Sequence, residues 1–170
     1  ISLEDDQEGE DGQEISDVLP LLALRNTVLL PGIVIPITVG RDKSIKAIRT
    51  AYNADRIVGV ISQRDMDVES PTAKDLYRVG TAARIIKFLR MPDGTTTAVI
   101  RGVRRFELVA LLENKEYLEG KVRLLPTPQF KEGDIEFDTQ IATMLDLSKQ
   151  IVDLSPNIPS EAASMLDGIK

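Results

Sequence analysis

A chain of 170 residues, 42% hydrophobic and 28% charged, has the composition of a protein that folds in water, with room for one domain of about 100 to 150 residues and an accessory piece. It contains no cysteine and no histidine, which excludes disulfide and thiol chemistry and removes the commonest general base and metal ligand. The net charge of −6 is segregated: residues 1–17 carry eight acids and no base, residues 130–170 eight acids and three bases, and the stretch between eleven acids and eighteen bases. A basic body between two acidic ends attracts acidic protein segments or phosphates over a Debye length of about 8 Å, so nucleic acid is a partner class to be weighed.

Residues 1–17, "ISLEDDQEGEDGQEISD", combine low hydrophobicity with dense charge and two glycines, the composition of a disordered acidic tail. No charged-then-apolar leader opens the chain, so a cytoplasmic location is expected. From Val18 onward, short apolar runs alternate with turn signals. "LPLLALR", "IVIPITV", "RIVGVIS", "AARIIKFLR", "TTTAVIRG", "RRFELVALLE" and "YLEGKVRLL" have the length and the valine, isoleucine and threonine content of strands. In the last of these, Leu118, Val122 and Leu124 alternate with Glu119, Lys121 and Arg123, the period of a half-buried strand.

One helix interrupts the strands, "RDKSIKAIRTAYNAD", with Asp42 or Ser44 as its cap and Ile45, Ile48 and Tyr52 on one face. "MPDGT" at 91–95 reads as a hairpin loop, where Pro92 and Gly94 suit a tight turn. "PTPQFKEGD" is a linker. Beyond it, "DIEFDTQIATMLDLSKQIVDLS" sets Phe137, Ile141, Met144, Leu145, Ser148, Ile151 and Leu154 on one helical stripe, and "PSEAASMLDGIK" begins another helix. The predicted organisation is a tail at 1–17, a β-rich domain at 18–128 and the start of a helical subdomain at 129–170.

No GxxxxGK[ST] loop and no GxGxxG turn is present to bind phosphates, and the acidic tail lacks the Asp/Asn alternation and glycine of a calcium loop. Ser44 beside Lys43 is the nearest approach to a nucleophile–base pair, yet neighbours on a helix point apart, and Ser44 serves better as a cap. Arg101, Arg104 and Arg105 in "IRGVRRF" have the planar forks that grip phosphates. Solvated strand positions, or charge pairs with Glu107 and Glu119, are the structural alternatives, and a regular strand puts 104 on the face opposite 101 and 105.

The stretch "TVLLPGIVIPITVG", Thr27 to Gly40, is too short and too broken by prolines to cross a membrane as a helix. Its strand half predicts core positions. At the tip, Leu30-Pro31-Gly32-Ile33, the chain must turn, and apolar residues at a turn reach the surface as a candidate interaction patch.

"LPLLALRNTVLLPGIVIPITVGRDKSI", "DLYRVGTAARI" and "MPDGTTTAVIRGVRRF", in that order, resemble the amino-terminal substrate-binding domain of the Lon family of ATP-dependent proteases. The likeness runs from Val18 through Leu125, and "IATMLDLSKQIVDLSPNIPSEAASMLDGI" continues as that family's helical extension does. It departs at Ala23, where the family commonly has proline, and at Arg101, where it often has an acid.

The resemblance implies a mainly β fold with α: a barrel-like body related to the PUA-like RNA-binding domains, with one internal helix, followed by a helical subdomain. It implies that ATP, magnesium and a serine–lysine peptidase belong to the rest of a hexameric protease, that this chain holds no cofactor and no catalytic residue, and that its partners are unfolded or degron-bearing proteins. Capture of such clients asks for exposed apolar surface rimmed by charge. The tip from Leu30 to Ile33 and the hairpin at Met91 and Pro92 are candidates for the apolar part, with Arg41, Lys43 and Lys46 for the rim. A free-standing adaptor with the same domain and an RNA-binding module are the alternatives; an aromatic content of 4% gives the latter little to stack bases on.

Overall fold

The computed structural model describes residues 15–90, 96–112, 116–127 and 133–155. In chain order the elements are β1 (Val18–Leu24), β2 (Val34–Val39), α1 (Asp42–Asn53), β3 (Ile57–Ser62), a short 3-10 turn (Ala73–Asp75), β4 (Val79–Arg90), β5 (Thr96–Leu112), β6 (Glu119–Leu124) and α2 (Ile135–Leu154). The chain divides into two compact units, residues 1–127 and 128–170.

In the first unit β5 is long enough to serve two neighbours along one edge. Its first part, from Thr96 to Arg101, pairs with β2, and its last part, from Phe106 to Leu112, pairs with β6. β4 runs along its other edge, from the pair Arg90/Thr96 to Val79/Glu107. β4 pairs in turn with β3, β3 lies parallel to β1, and β1 returns to β6. Five strands thus close into a ring, β1-β3-β4-β5-β6, and β2 hangs on the long strand outside it. Closure removes most of the free edges that an open sheet would leave. β2, at an edge, is where Pro36 sits, a residue without an N–H to donate.

Both faces of this sheet are covered, which explains the unbroken apolar run in β3: Ile57, Val58, Gly59, Val60 and Ile61 are all buried. Odd-numbered positions of β1 (Leu19, Leu21, Ala23) gather with Ile57, Ile61, Ala82 and Val122 around Phe106. The other face carries Leu22, Val58, Val60, Ala83 and Ile85, which pack with Ile37 and Val39 of β2 and Ile48 and Ala51 of α1. The ring is narrow because glycines admit the large rings and branches. A Cβ on Gly59 would lie 2.5 Å from Leu21 and 3.3 Å from Phe106, and one on Gly80 would lie 2.6 Å from Phe106.

Several sequence expectations are met and several are corrected. The face of α1 is the predicted one, with Ile48 buried and Ile45 and Tyr52 packed at the edge of the same cluster. Its cap is not: Arg41 occupies the N-cap position and no side chain closes the first turn, so neither Asp42 nor Ser44 does that work. The two runs at 95–102 and 104–113 are one strand, β5, with its register shifted where Gly102 and Arg104 oppose Ala83 and Ala82. Val103 is the extra residue, and a bulge of this kind breaks the period-two pattern without ending the strand. The proposed hairpin at 91–95 and the final helix at 159–170 lie outside the described residues.

The second unit is described by α2. Asp134 caps it, accepting from the Phe137 N–H at 3.2 Å, and Glu136 and Asp138 place negative charge in the first turn, where the helix dipole favours it. No residue of α2 is buried, and Met144, Leu147, Ile151 and Leu154 are exposed.

Candidate functional site

Thr27 to Ile33 leaves β1 as a loop that the body holds from beneath. The Ser62 hydroxyl donates to the Thr27 carbonyl at 2.7 Å, and the buried Thr81 hydroxyl donates to the Leu29 carbonyl, also at 2.7 Å. With those two carbonyls fixed, Leu29 turns into the core and its neighbours turn out: Leu29 is 4% exposed, Val28 69% and Leu30 56%. The tip is a hydrogen-bonded turn in which the Ile33 N–H donates to the Leu30 carbonyl at 3.2 Å. Pro31 fills its second position and Gly32, at φ +80°, its third, the arrangement of a type II turn.

The tip is also strapped to β5. Gly32 N–H donates to the Gly102 carbonyl at 2.8 Å, and Gly102 N–H to the Ile33 carbonyl at 2.9 Å. A Cβ at position 102 would run into the Leu30 carbonyl, so the strand carries glycine where the turn crosses it. Leu30, Ile33 and Val34 are therefore apolar, exposed and held at the same time.

Beside the tip lies a groove of about 470 Å³, lined by Val28, Leu30, Tyr77, Val79, Arg105 and neighbours. A larger groove of about 700 Å³ runs between β1 and β2, but its polar end is occupied by Arg41 and its apolar lining belongs to the core edge. Exposed apolar side chains meet in the groove at the tip, which makes it the candidate site.

The arginines differ in what they are doing. Arg41, placed in the sequence reading on a charged rim, is half-buried: it donates to the Ala23 carbonyl and the Gln63 carboxamide oxygen, each at 2.8 Å, and to the Glu69 carbonyl at 3.2 Å. Burial, with Arg25 nearby, lowers its pKa from the usual arginine value. It ties β1, the end of β3 and the 63–69 loop together. Lys43 and Lys46 are exposed, but they begin α1 beyond the far end of β2, a strand of six residues that separates them from the tip by about 20 Å. The structure therefore does not bring the apolar tip and the basic helix start into one small site. Met91 and Pro92 lie outside the described residues.

Arg101 precedes the bulge at Val103, and Arg104 and Arg105 follow it. Arg104 donates to the Leu125 carbonyl at 3.3 Å, and the bulge at Val103 leaves both 104 and 105 exposed. The pairing of this cluster with Glu107 is corrected: Glu107 lies between Arg78 and Arg123, and its carboxylate pairs with both. The Arg123 hydrogen bond, helped by Arg78, holds the Glu107 pKa below the usual glutamate value. What sequence reasoning missed is the 77–80 wall of the groove; "DLYRVG" shows an aromatic and a valine separated by arginine, a pattern equally fit for a core strand. Among the described residues no group of acids is placed to hold a metal, and no helix is long and apolar enough to cross a membrane.

Residues 18–170 match the family model described as the ATP-dependent protease La (LON) substrate-binding domain. The chain is 40% identical over 166 residues to a Lon protease of Flavobacterium johnsoniae, an alignment covering 98% of this chain and 20% of that protease. It is 44% identical over 146 residues to a Lon protease of Porphyromonas gingivalis, covering 85% of this chain and 17% of the relative. The chain thus spans about a fifth of the length of the curated relatives it matches. Among solved structures, the N-terminal domain of a Mycobacterium avium complex Lon protease superposes with a TM-score of 0.68 at 23% identity, covering 89% of this chain and 75% of the other. A Lon N-terminal domain protein from Xanthomonas campestris gives 0.59 at 24% identity, covering 88% and 89%. At that identity the likeness is one of fold. The family match and the long alignments to proteases together lead to one conclusion: this chain belongs to the family of Lon protease substrate-binding domains.

Proposed function

We propose that this chain captures unfolded or degron-bearing proteins and hands them to the motor and peptidase of a Lon-type ATP-dependent protease, itself carrying out no chemistry. One observation carries the proposal: Val28, Leu30 and Ile33 are exposed on a loop that four hydrogen bonds fix to the body, with Val34 exposed beside them at the start of β2. Exposing such a patch costs solubility, and fixing it in place limits the entropy lost on binding, which together favour an interaction role over a packing one. Clients in this account are segments of damaged or short-lived regulatory proteins that display apolar side chains. Lys43 and Lys46, about 20 Å from the tip, lie beyond a Debye length of about 8 Å and act only on an acidic stretch of client that reaches the start of α1. ATP and magnesium act in the parts of the protease beyond this chain, and a hexameric assembly in the cytoplasm presents several such tips at once, so that weak single contacts sum to useful avidity.

Phosphate binding is not favoured by the state of the arginines. Arg25, Arg78 and Arg123 are in ion pairs, and Arg41, Arg64 and Arg104 donate to backbone carbonyls. The test is titration of the chain with one protein in a permanently unfolded and a native form. Preferential binding of the unfolded form at physiological salt supports client capture. Equal binding of both, or an RNA affinity that exceeds either and survives that salt, contradicts it.

A further inference from the structure

The groove beside the tip is lined by apolar side chains and by positive charge. Its exposed rim is made of Val28 and Leu30 from the loop, Tyr77 just before β4 and Val79 at its start, while Leu29, Val60 and Thr81 are buried beneath. Three arginines line it and no acid does. Two of the three are already engaged. Arg64 lies 4.7 Å over the Tyr77 ring and donates to the Leu76 carbonyl at 3.0 Å, and Arg78 is paired with Glu107. Arg105 is exposed, and its guanidinium has no ion pair or hydrogen bond among the described residues.

We infer that this groove reads clients whose large apolar side chain stands next to an aspartate or glutamate, the apolar group seated between Leu30 and Val79 and the carboxylate met by Arg105. The inference rests on the client-capture reading and gives it a substrate class. Charge complementarity decides the partner: a lysine brought to this rim meets three arginines and no acid, whereas a carboxylate finds a planar fork with its donors unused. The volume of about 470 Å³ suits one bulky apolar group with its neighbours rather than a polynucleotide track. A terminal carboxylate is a poorer fit than a side chain. Capture of chain ends uses converging backbone N–H groups, and here the lining strand backbone is committed to pairing, Gly80 with Phe106 and Thr81 with both Val60 and Arg105.

The experiment is a fluorescence-anisotropy titration of the 170-residue chain with short unstructured peptides. They are identical except that a central phenylalanine is flanked by aspartate, asparagine or lysine, each made with a free and an amidated C-terminus. The aspartate peptide is expected to bind roughly threefold to fivefold tighter than the lysine peptide, a gap that shrinks at high salt. Arg105→Glu is expected to reverse the order, and Arg105→Gln to flatten it, both with an unchanged unfolding midpoint because the side chain is exposed and unpartnered. Equal affinities across the series, with neither variant changing them, overturn this inference while leaving client capture standing. A failure of every peptide and of unfolded protein to bind overturns both. A preference that follows the free C-terminus rather than the flanking residue overturns the choice of an acidic side chain. A gain in affinity on deleting residues 1–14 assigns the groove to the chain's own acidic segment and overturns the client assignment.

Discussion

The Thr81 hydroxyl reaches the Leu29 carbonyl across 2.7 Å of protein interior, a buried side-chain anchor of a loop whose Val28 and Leu30 face water. Thr81 is 3% exposed, so neither partner has a solvent alternative. Thr81→Val keeps the shape and the β-branched preference for a strand but strands the carbonyl. The expected cost is about 1 to 2 kcal/mol, the penalty for a buried acceptor left unpaired. Client affinity is expected to fall with it, since Val28 and Leu30 lose the anchor between them. Urea unfolding followed by client titration checks both; a variant as stable as the parent would show that the bond does not hold the loop.

Glu107 gives the fold a dependence on acid. Its side chain is only 11% exposed and it serves two arginines, Arg78 and Arg123. Because the folded pKa is lowered from the usual 4.5, the stabilisation is fully present above that value and is lost as pH falls through the lower, folded one. Glu107→Gln is expected to be the less stable form at neutral pH and to lose less on acidification. Unfolding midpoints from about pH 7 to about pH 3 should therefore converge. Parallel curves would remove Glu107 from the acid response.

Arg41 and the two lysines of α1 separate a structural cation from surface ones. Arg41→Met retains the aliphatic stem but leaves the Ala23 carbonyl and the Gln63 oxygen without their donor, an expected loss of about 1 to 3 kcal/mol. Lys43→Ala with Lys46→Ala is expected to stay within about 0.5 kcal/mol of the parent. Affinity for a short apolar peptide should change by less than about twofold in the lysine variant, since the tip lies a strand length away. A large loss with the lysines gone would place the client at the start of α1 instead.

The parts of the fold most legible in the sequence are those where one residue type has one use. Pro31-Gly32 announces a turn, and the structure has it with Gly32 at positive φ. Ile45, Ile48 and Tyr52 announce one helix face, and that face is the packed one. The run "RIVGVIS" announces a strand, and the structure adds that it is covered on both sides, with α1 and β2 packed on one of them. Less legible were features that depend on what is brought together from afar. The bulge at Val103 hid the continuity of β5, because two arginines after a glycine look like the end of a strand. Arg41 and Arg105 carry the same side chain, yet one is a half-buried tie and the other an open cation. Only the position of Ala23, Gln63 and Glu69 around the first distinguishes them. The Tyr77–Val79 wall faces Val28 and Leu30 through the pairing of β3 with β4, a register no local pattern specifies.

If clients bind at the exposed tip, the double variant Leu30→Ser with Ile33→Ser removes the side chains that meet them. Both side chains are about half exposed, Leu30 at 56% and Ile33 at 50%, so their loss should cost little stability, on the order of 0.5 kcal/mol each. Binding of an unfolded client to the folded variant is then measured by titration beside the parent chain. Affinity is expected to fall roughly tenfold or more at an unfolding midpoint close to the parent's, the signature of removed contact residues rather than of a damaged fold. Unchanged affinity in a well-folded double variant would contradict it and take the client site away from this loop.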